Sequence, residues 1–107
     1  MNIVAFVGQI VELPKLRESA QGNKFATMVV RVGRPFPNSD GVYEQDDLTF
    51  TLWKGIAETT TQIANEGDQV AIKGRLQSHT FEGNDGLTHR SYDLIAENVS
   101  FLSKKEV

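Results

Sequence analysis

Leu48-Thr49-Phe50-Thr51-Leu52-Trp53 alternates apolar and polar residues with a period of two, the pattern of a strand buried on one face. Leu48, Phe50 and Leu52 share one face; Thr49, Thr51 and Trp53 share the other. The chain's one tryptophan therefore falls on the polar side. Two readings explain a large aromatic there: it stacks against a base or a partner, or another strand or subunit covers it. Directly after it, Gly55 to Glu66 is the one credible helix. Ile56, Ala57, Ile63 and Ala64 give it a narrow apolar stripe, and Gly67 fits a C-cap. Three consecutive threonines make it a weak helix former.

Strands flank this unit on both sides. Ile3 to Val11 is apolar on both alternate sets, which predicts a strand covered on both faces. Leu13-Pro14 ends it, and Ser19 to Lys24 reads as a turn. Phe25 to Arg34 is a second strand, with Ala26, Met28, Val30 and Val32 as its apolar set. Pro35 to Tyr43 is a loop or hairpin tip. After the helix, Gln69 to Phe81 has an inner set of Val70, Ile72, Gly74 and Leu76. Gly83-Asn84-Asp85-Gly86 is a hairpin turn. Thr88 to Leu102 is a last strand, bent near Asn98. Five strands with one short helix between the third and fourth is the order of an all-β OB-fold, a five-stranded Greek-key barrel. An open five-stranded α+β sheet is the alternative. The domain runs over residues 1–103, with 104–107 as a short polar end.

A chain of 107 residues holds one domain with a modest core. With no cysteine it has no disulfide scaffold, zinc-thiolate site or cysteine nucleophile, and it fits a reducing cytosol. The opening residues lack the pattern of a signal peptide, and no apolar run approaches the roughly 20 residues of a membrane span. The net charge of −3 argues against a partner bound by charge alone. Its distribution matters more. Ala20 to Ser39 carries Lys24, Arg31 and Arg34 with no acid, and Gln69 to Phe81 carries Lys73 and Arg75 with no acid. An acidic protein with a locally basic face is the result.

The outward sets of the strands are Thr27, Val29 and Arg31; Thr49, Thr51 and Trp53; and Lys73, Arg75, Gln77, His79 and Phe81. If these strands are neighbours, one face interleaves cations with aromatics. Single-stranded nucleic acid is bound this way, with cations along the phosphates and bases stacked on aromatic rings. Phe36 and Tyr43 extend the path from the loop beside it. The alternative is an ordinary solvated sheet face. His79 and His89 flank the hairpin turn, but a metal would need a further ligand that the sequence does not offer. Glu44, Asp46 and Asp47 are better read as a solvated acidic loop than as a divalent-metal cluster, since adjacent residues of a strand face opposite ways. No catalytic triad order, phosphate loop or glycine-rich fingerprint is present, so no enzyme, metal or cofactor is expected.

Several stretches in their order resemble the bacterial single-stranded DNA-binding proteins, the SSB family, over nearly all of residues 1–102. They are Asn2-Ile3-Val4-Ala5-Phe6-Val7-Gly8, Phe25-Ala26-Thr27-Met28-Val29-Val30, Arg34-Pro35-Phe36 and Leu52-Trp53-Lys54. Further on come Ala57-Glu58, Gly67-Asp68-Gln69-Val70, Gly74-Arg75-Leu76-Gln77, Tyr92-Asp93-Leu94 and Ala96-Glu97-Asn98-Val99. The resemblance implies an OB fold, usually a homotetramer, that wraps single-stranded DNA with little sequence preference. It implies base stacking at Phe36, Trp53 and Phe81, which the alternation also singles out.

On that basis Arg31, Arg34, Lys54, Lys73 and Arg75 are the expected phosphate contacts. Thr49, Thr51 and Gln77 supply hydrogen bonds to sugar or phosphate. Ile3, Val4, Ala5, Phe6 and Val7 form the subunit interface of a homotetramer or homodimer, one apolar set feeding the core and the other a partner chain. The alternative for this strand is burial within one subunit. Many members carry another aromatic where this chain has Asp47, so one stacking platform is missing or Tyr43 replaces it. Members also commonly end in an acidic, hydrophobic tip that recruits other proteins. This chain stops at Lys104-Lys105-Glu106-Val107, and recruitment of that kind is not expected. A protein-interaction OB module with weak DNA binding is the competing function. A cytoplasmic, nucleoid-associated location is expected.

Overall fold

In the computed structural model, which describes residues 1–103, the alternating stretch is the second half of β4 (Gln45–Trp53). Phe50 and Leu52 are fully buried and Leu48 packs at the edge of the core. Its antiparallel neighbour β3 (Lys24–Gly33) buries Ala26, Met28 and Val30, as their spacing predicts. The β3–β4 register runs from Phe25 opposite Trp53 to Gly33 opposite Gln45. Thr27 therefore faces Thr51, Val29 faces Thr49 and Arg31 faces Asp47 across the outer surface.

Three more long elements close the structure. β1 (Val4–Glu12) pairs antiparallel with both β3 and β5 (Gln69–Glu82), and β5 pairs with β6 (Thr88–Ser103). β6 runs parallel to β4 through Phe50–Leu52 and Leu94–Ala96. The ring β1–β5–β6–β4–β3–β1 is thus complete, a five-stranded Greek-key barrel in the OB order, with a core of Ile10, Met28, Val30, Phe50, Leu52, Val70 and Ile72. Two glycines let the strands approach closely. A Cβ on Gly8 would lie 2.3 Å from the Arg31 carbonyl oxygen, and one on Gly74 would lie 1.9 Å from that of Ile95. Lys73 pairs with Asn98 but Gly74 with Ala96, leaving Glu97 unpaired in a bulge. That bulge is the bend expected near Asn98.

The structure corrects several expectations. The helix α1 spans Lys54–Ile63, not Gly55 to Glu66, and its C-cap is Ala64, whose N–H bonds to the Thr60 carbonyl. Gly67 instead shapes the next turn, with φ 93°, and its N–H bonds to the Ile10 carbonyl. Ile63 lies off the inward stripe. Thr60 takes that place, because it sits three residues after Ala57 and four before Ala64 on one helix face. A two-stranded arm precedes the expected turn, as β2 (Arg17–Glu18) pairs with Phe25 and Lys24.

Within the single chain β1 is covered on one face: Phe6 and Ile10 point inward, while Val7, 59% exposed, and Ile3 lie open on the outer side. Burial of both sets within one subunit is thereby ruled out. Leu76 is exposed rather than inner, because β5 and β6 run past the barrel as a free-standing hairpin. Finally, β5 is not a neighbour of β4; β6 lies between them. Residues 104–107, expected as a polar end, lie outside the described residues.

Candidate nucleic-acid interface

Trp53 is the last residue of β4, where the chain turns into α1. Lys54 makes that turn in the left-handed region, with φ 53°, which is costly for a residue with a side chain. The indole packs against Phe25 on the paired strand, ring centroids 5.2 Å apart and planes inclined by 35°, and remains 39% exposed. Among the described residues no strand other than β3 pairs at Trp53. Thr27, Val29, Thr49 and Thr51 continue this surface away from Trp53.

Thr27, Val29 and Thr49 form the floor of a groove of about 480 Å³, walled by Leu13, Lys15 and Arg17 on one side and by Glu12 and Glu66. Lys15 and Arg17 were not among the expected contacts. The alternation of cations in Lys15-Leu16-Arg17 was a signal, but the stretch lies in a connection without strand periodicity. Lys15 and Arg17 make no ion pair within 4.0 Å among the described residues, which leaves both ammonium and guanidinium available to an anion in the groove.

The predicted arginines are differently placed. Arg31 Nε donates to Asp47 Oδ1 at 2.8 Å and its Nη2 to Asp47 Oδ2 at 3.1 Å, a bidentate pair across β3–β4. Arg34 forks onto Asp46 at 3.0 and 2.8 Å and also bonds Glu44. Glu44 in turn accepts from the Asn38 side chain at 3.0 Å. Hydrogen bonding from Arg31, then its charge, holds the Asp47 carboxyl below its ordinary range, and Arg34 does the same for Asp46. Arg75 bonds Glu97 and Gln77, each at 3.2 Å. Lys54 and Lys73 have no ion pair among the described residues.

The expected single face divides into separate regions. Trp53, Thr49, Thr51 and Arg31 share the β3–β4 surface. Phe36 stands on the outgoing side of the loop that follows Arg34, 78% exposed, with the turn at Asn38–Gly41 and Tyr43 on the returning side. Gln77, His79 and Phe81 lie on the projecting hairpin, where Phe81 stacks on His89 at 5.5 Å and 27°. His89 Nε2 lies 3.1 Å from Asp85, and His79 Nδ1 lies 3.1 Å from Asp93, so each histidine has its own carboxylate. Among the described residues no three His, Cys, Asp or Glu side chains converge as a metal site would require. Lys73 faces Ala5 of β1 and joins Ile3, Val7, Ala71 and Asn98 around an apolar groove of about 490 Å³, apart from Trp53.

The family model described as the single-strand binding protein family matches residues 1–102. The chain belongs to this family. Among its relatives, single-stranded DNA-binding protein 3 of Listeria innocua is 35% identical over 106 residues, covering 99% of this chain and 66% of that protein. Single-stranded DNA-binding protein B of Bacillus subtilis is 32% identical over 104 residues, covering 97% of this chain and 92% of that protein. This SSB-family chain thus spans just under two thirds of the length of the Listeria relative and nearly all of the Bacillus one. A solved structure described as a Plasmodium falciparum SSB complex with ssDNA superposes with a TM-score of 0.78 at 15% identity, covering 96% of each chain. It shares the OB barrel of this SSB-family chain. No helix among the described residues is long and apolar enough to cross a membrane.

Proposed function

We propose that this protein binds single-stranded DNA with little sequence preference and protects it during replication, recombination or repair, without chemical turnover. The observation that carries the reading is the half-exposed Trp53, backed by Phe25, at the head of an open threonine-floored surface. Bases stack on Trp53, Phe36 and Phe81. Backbone phosphates meet Lys54 and Arg75, with the hydroxyls of Thr49 and Thr51 and the amide of Gln77 as hydrogen-bonding partners. Lys15 and Arg17 extend the path along the groove. The relatives named as single-stranded DNA-binding proteins support this reading.

Assembly through the outer face of β1 is part of the same proposal. Ile3, Ala5 and Val7 leave an apolar strip beside Lys73 that a second copy would cover, giving a homodimer or homotetramer. Val4 and Phe6, the other two residues expected there, belong to the inward set. The site of action is cytoplasmic and nucleoid-associated.

One observation favours a second reading, a protein-interaction module. Arg31, Arg34 and Arg75 are all engaged by carboxylates, and the net charge is −3. A titration of Trp53 fluorescence with oligo-dT at low and high salt separates the two. Strand binding quenches the indole at low salt and weakens as salt rises. Absence of quenching at low salt removes the stacking role and leaves the interaction module.

A further inference from the structure

Arg31 is the cation of β3 on the Thr27–Val29 outer face, and Arg34 follows just beyond the strand's end; neither is free. Asp47 meets Arg31 with both oxygens, in the planar fork geometry by which guanidinium also binds phosphate. Asp46 does the same to Arg34, with Glu44 as an additional acceptor. Asp47 lies directly opposite Arg31 in the β3–β4 register, so that pair is built into the ladder, whereas Arg34 lies one residue beyond it and Asp46, opposite Val32, belongs to the other alternate set. On its β1 side Arg31 has only the neutral Gln9 opposite it. No other cation of the described residues is held by two carboxylates, as Arg34 is.

We propose that Asp47 is an affinity-determining residue that stands in for a backbone phosphate on Arg31. The inference rests on the single-strand reading of this surface. An unpaired arginine releases condensed ions from the strand when it takes a phosphate. Here a phosphate must displace a carboxylate that is already bidentate, and the displaced carboxylate stays beside the strand and repels it. Arg31 therefore contributes little to affinity or to its salt dependence while Asp47 is ionised. Strands are held mainly by stacking and by the unpaired lysines, and this edge of the surface joins only when its clamp is opened.

The test uses labelled oligo-dT and the full chain, titrated at several salt concentrations, with wild type, Asp47→Asn, Arg31→Gln and the double variant. Asparagine keeps the size of the side chain and removes its charge, and a melting curve for each variant confirms the fold. Asp47→Asn should bind more tightly at low salt, with a steeper slope of log affinity against log salt by about 0.7, the value of one phosphate contact to a single strand. That gain should shrink about threefold between about 50 and about 200 mM salt. Arg31→Gln should weaken wild-type binding only modestly, through repulsion by the carboxylate it frees, and should abolish the gain of Asp47→Asn. Asp46→Asn should show no such gain, because Asp46 belongs to the other alternate set of β4 and Glu44 still holds Arg34.

An Asp47→Asn affinity and slope equal to wild type overturns the inference. So does an Arg31→Gln loss as large in wild type as in the Asp47→Asn background, since Arg31 would then already hold a phosphate. Failure of both wild type and Asp47→Asn to bind oligo-dT at low salt instead overturns the single-strand reading itself.

Discussion

Phe25 and Trp53 face each other on the last rung of the β3–β4 ladder, with ring centroids 5.2 Å apart. The pair fixes where the indole stands while leaving it partly open. Trp53→Ala should therefore lower oligo-dT affinity by about 1–3 kcal/mol, the range for one stacked base. Trp53→Phe should retain part of it. Anisotropy of a labelled strand measures both. Full affinity in the alanine variant would take Trp53 off the path.

The outer face of β1 gives a second expectation. Val7 is exposed and has no role in the barrel core, so Val7→Glu should leave the melting temperature of the single subunit nearly unchanged. In light scattering it should convert an assembled wild type to monomer, because a carboxylate would be buried without a partner at the contact. A wild type that is already monomeric at micromolar concentration removes β1 as an interface.

Gly74→Ala should be far more damaging than its size suggests. The new methyl would sit 1.9 Å from the Ile95 carbonyl oxygen, and both groups belong to backbone ladders that cannot yield locally. A loss of about 3 kcal/mol or more, the upper end for overpacking, is expected in urea unfolding. Leu76→Ala, on the exposed arm two residues on, should cost well under that. Comparable losses at the two positions would contradict the account of the bulge.

Acid sensitivity follows from the arginine clamps. Asp46 and Asp47 have folded pKa values below their ordinary ones, chiefly through hydrogen bonds from Arg34 and Arg31. Their stabilisation is fully present above the unfolded value, about pH 4, and is lost as pH falls through the lower folded values. Asp85, lowered by the Leu87 N–H and by His89, acts in the same direction at the hairpin tip. The melting temperature of wild type should therefore fall below about pH 4, and fall less in an Asp46→Asn/Asp47→Asn double variant. Parallel curves for the two proteins would assign the acid transition to other groups.

Much of the barrel was legible in the chain because its inner residues alternate. Ala26, Met28 and Val30, or Phe50 and Leu52, announce their strands and their inward faces. Alternation says which side of a strand a residue occupies but not which strand lies next to it. Alternation alone therefore groups Lys73 and Phe81 with Trp53, although β6 separates β5 from β4. Nor does a list of cations show which are already paired. Arg31 and Asp47 lie sixteen residues apart, and only the register puts them face to face. Thr60 does not stand out as an inward helix residue because a hydroxyl does not count toward an apolar stripe, yet it is buried beside Ala57 on that face.

The closure of the barrel has a consequence in time. Val4 to Gln9 find their β5 partners at Gly74 to Gln69, and Phe50 to Leu52 find theirs at Leu94 to Ala96. A ribosome delivers β1, β3 and β4 long before β5 and β6 exist. Until then the inner faces of those first strands have no roof, and pairings over such sequence distances form slowly. The protein should pass from unfolded to complete late and in one step, so a nascent chain lacking β6 would compete for no DNA and would instead be a substrate for chaperones.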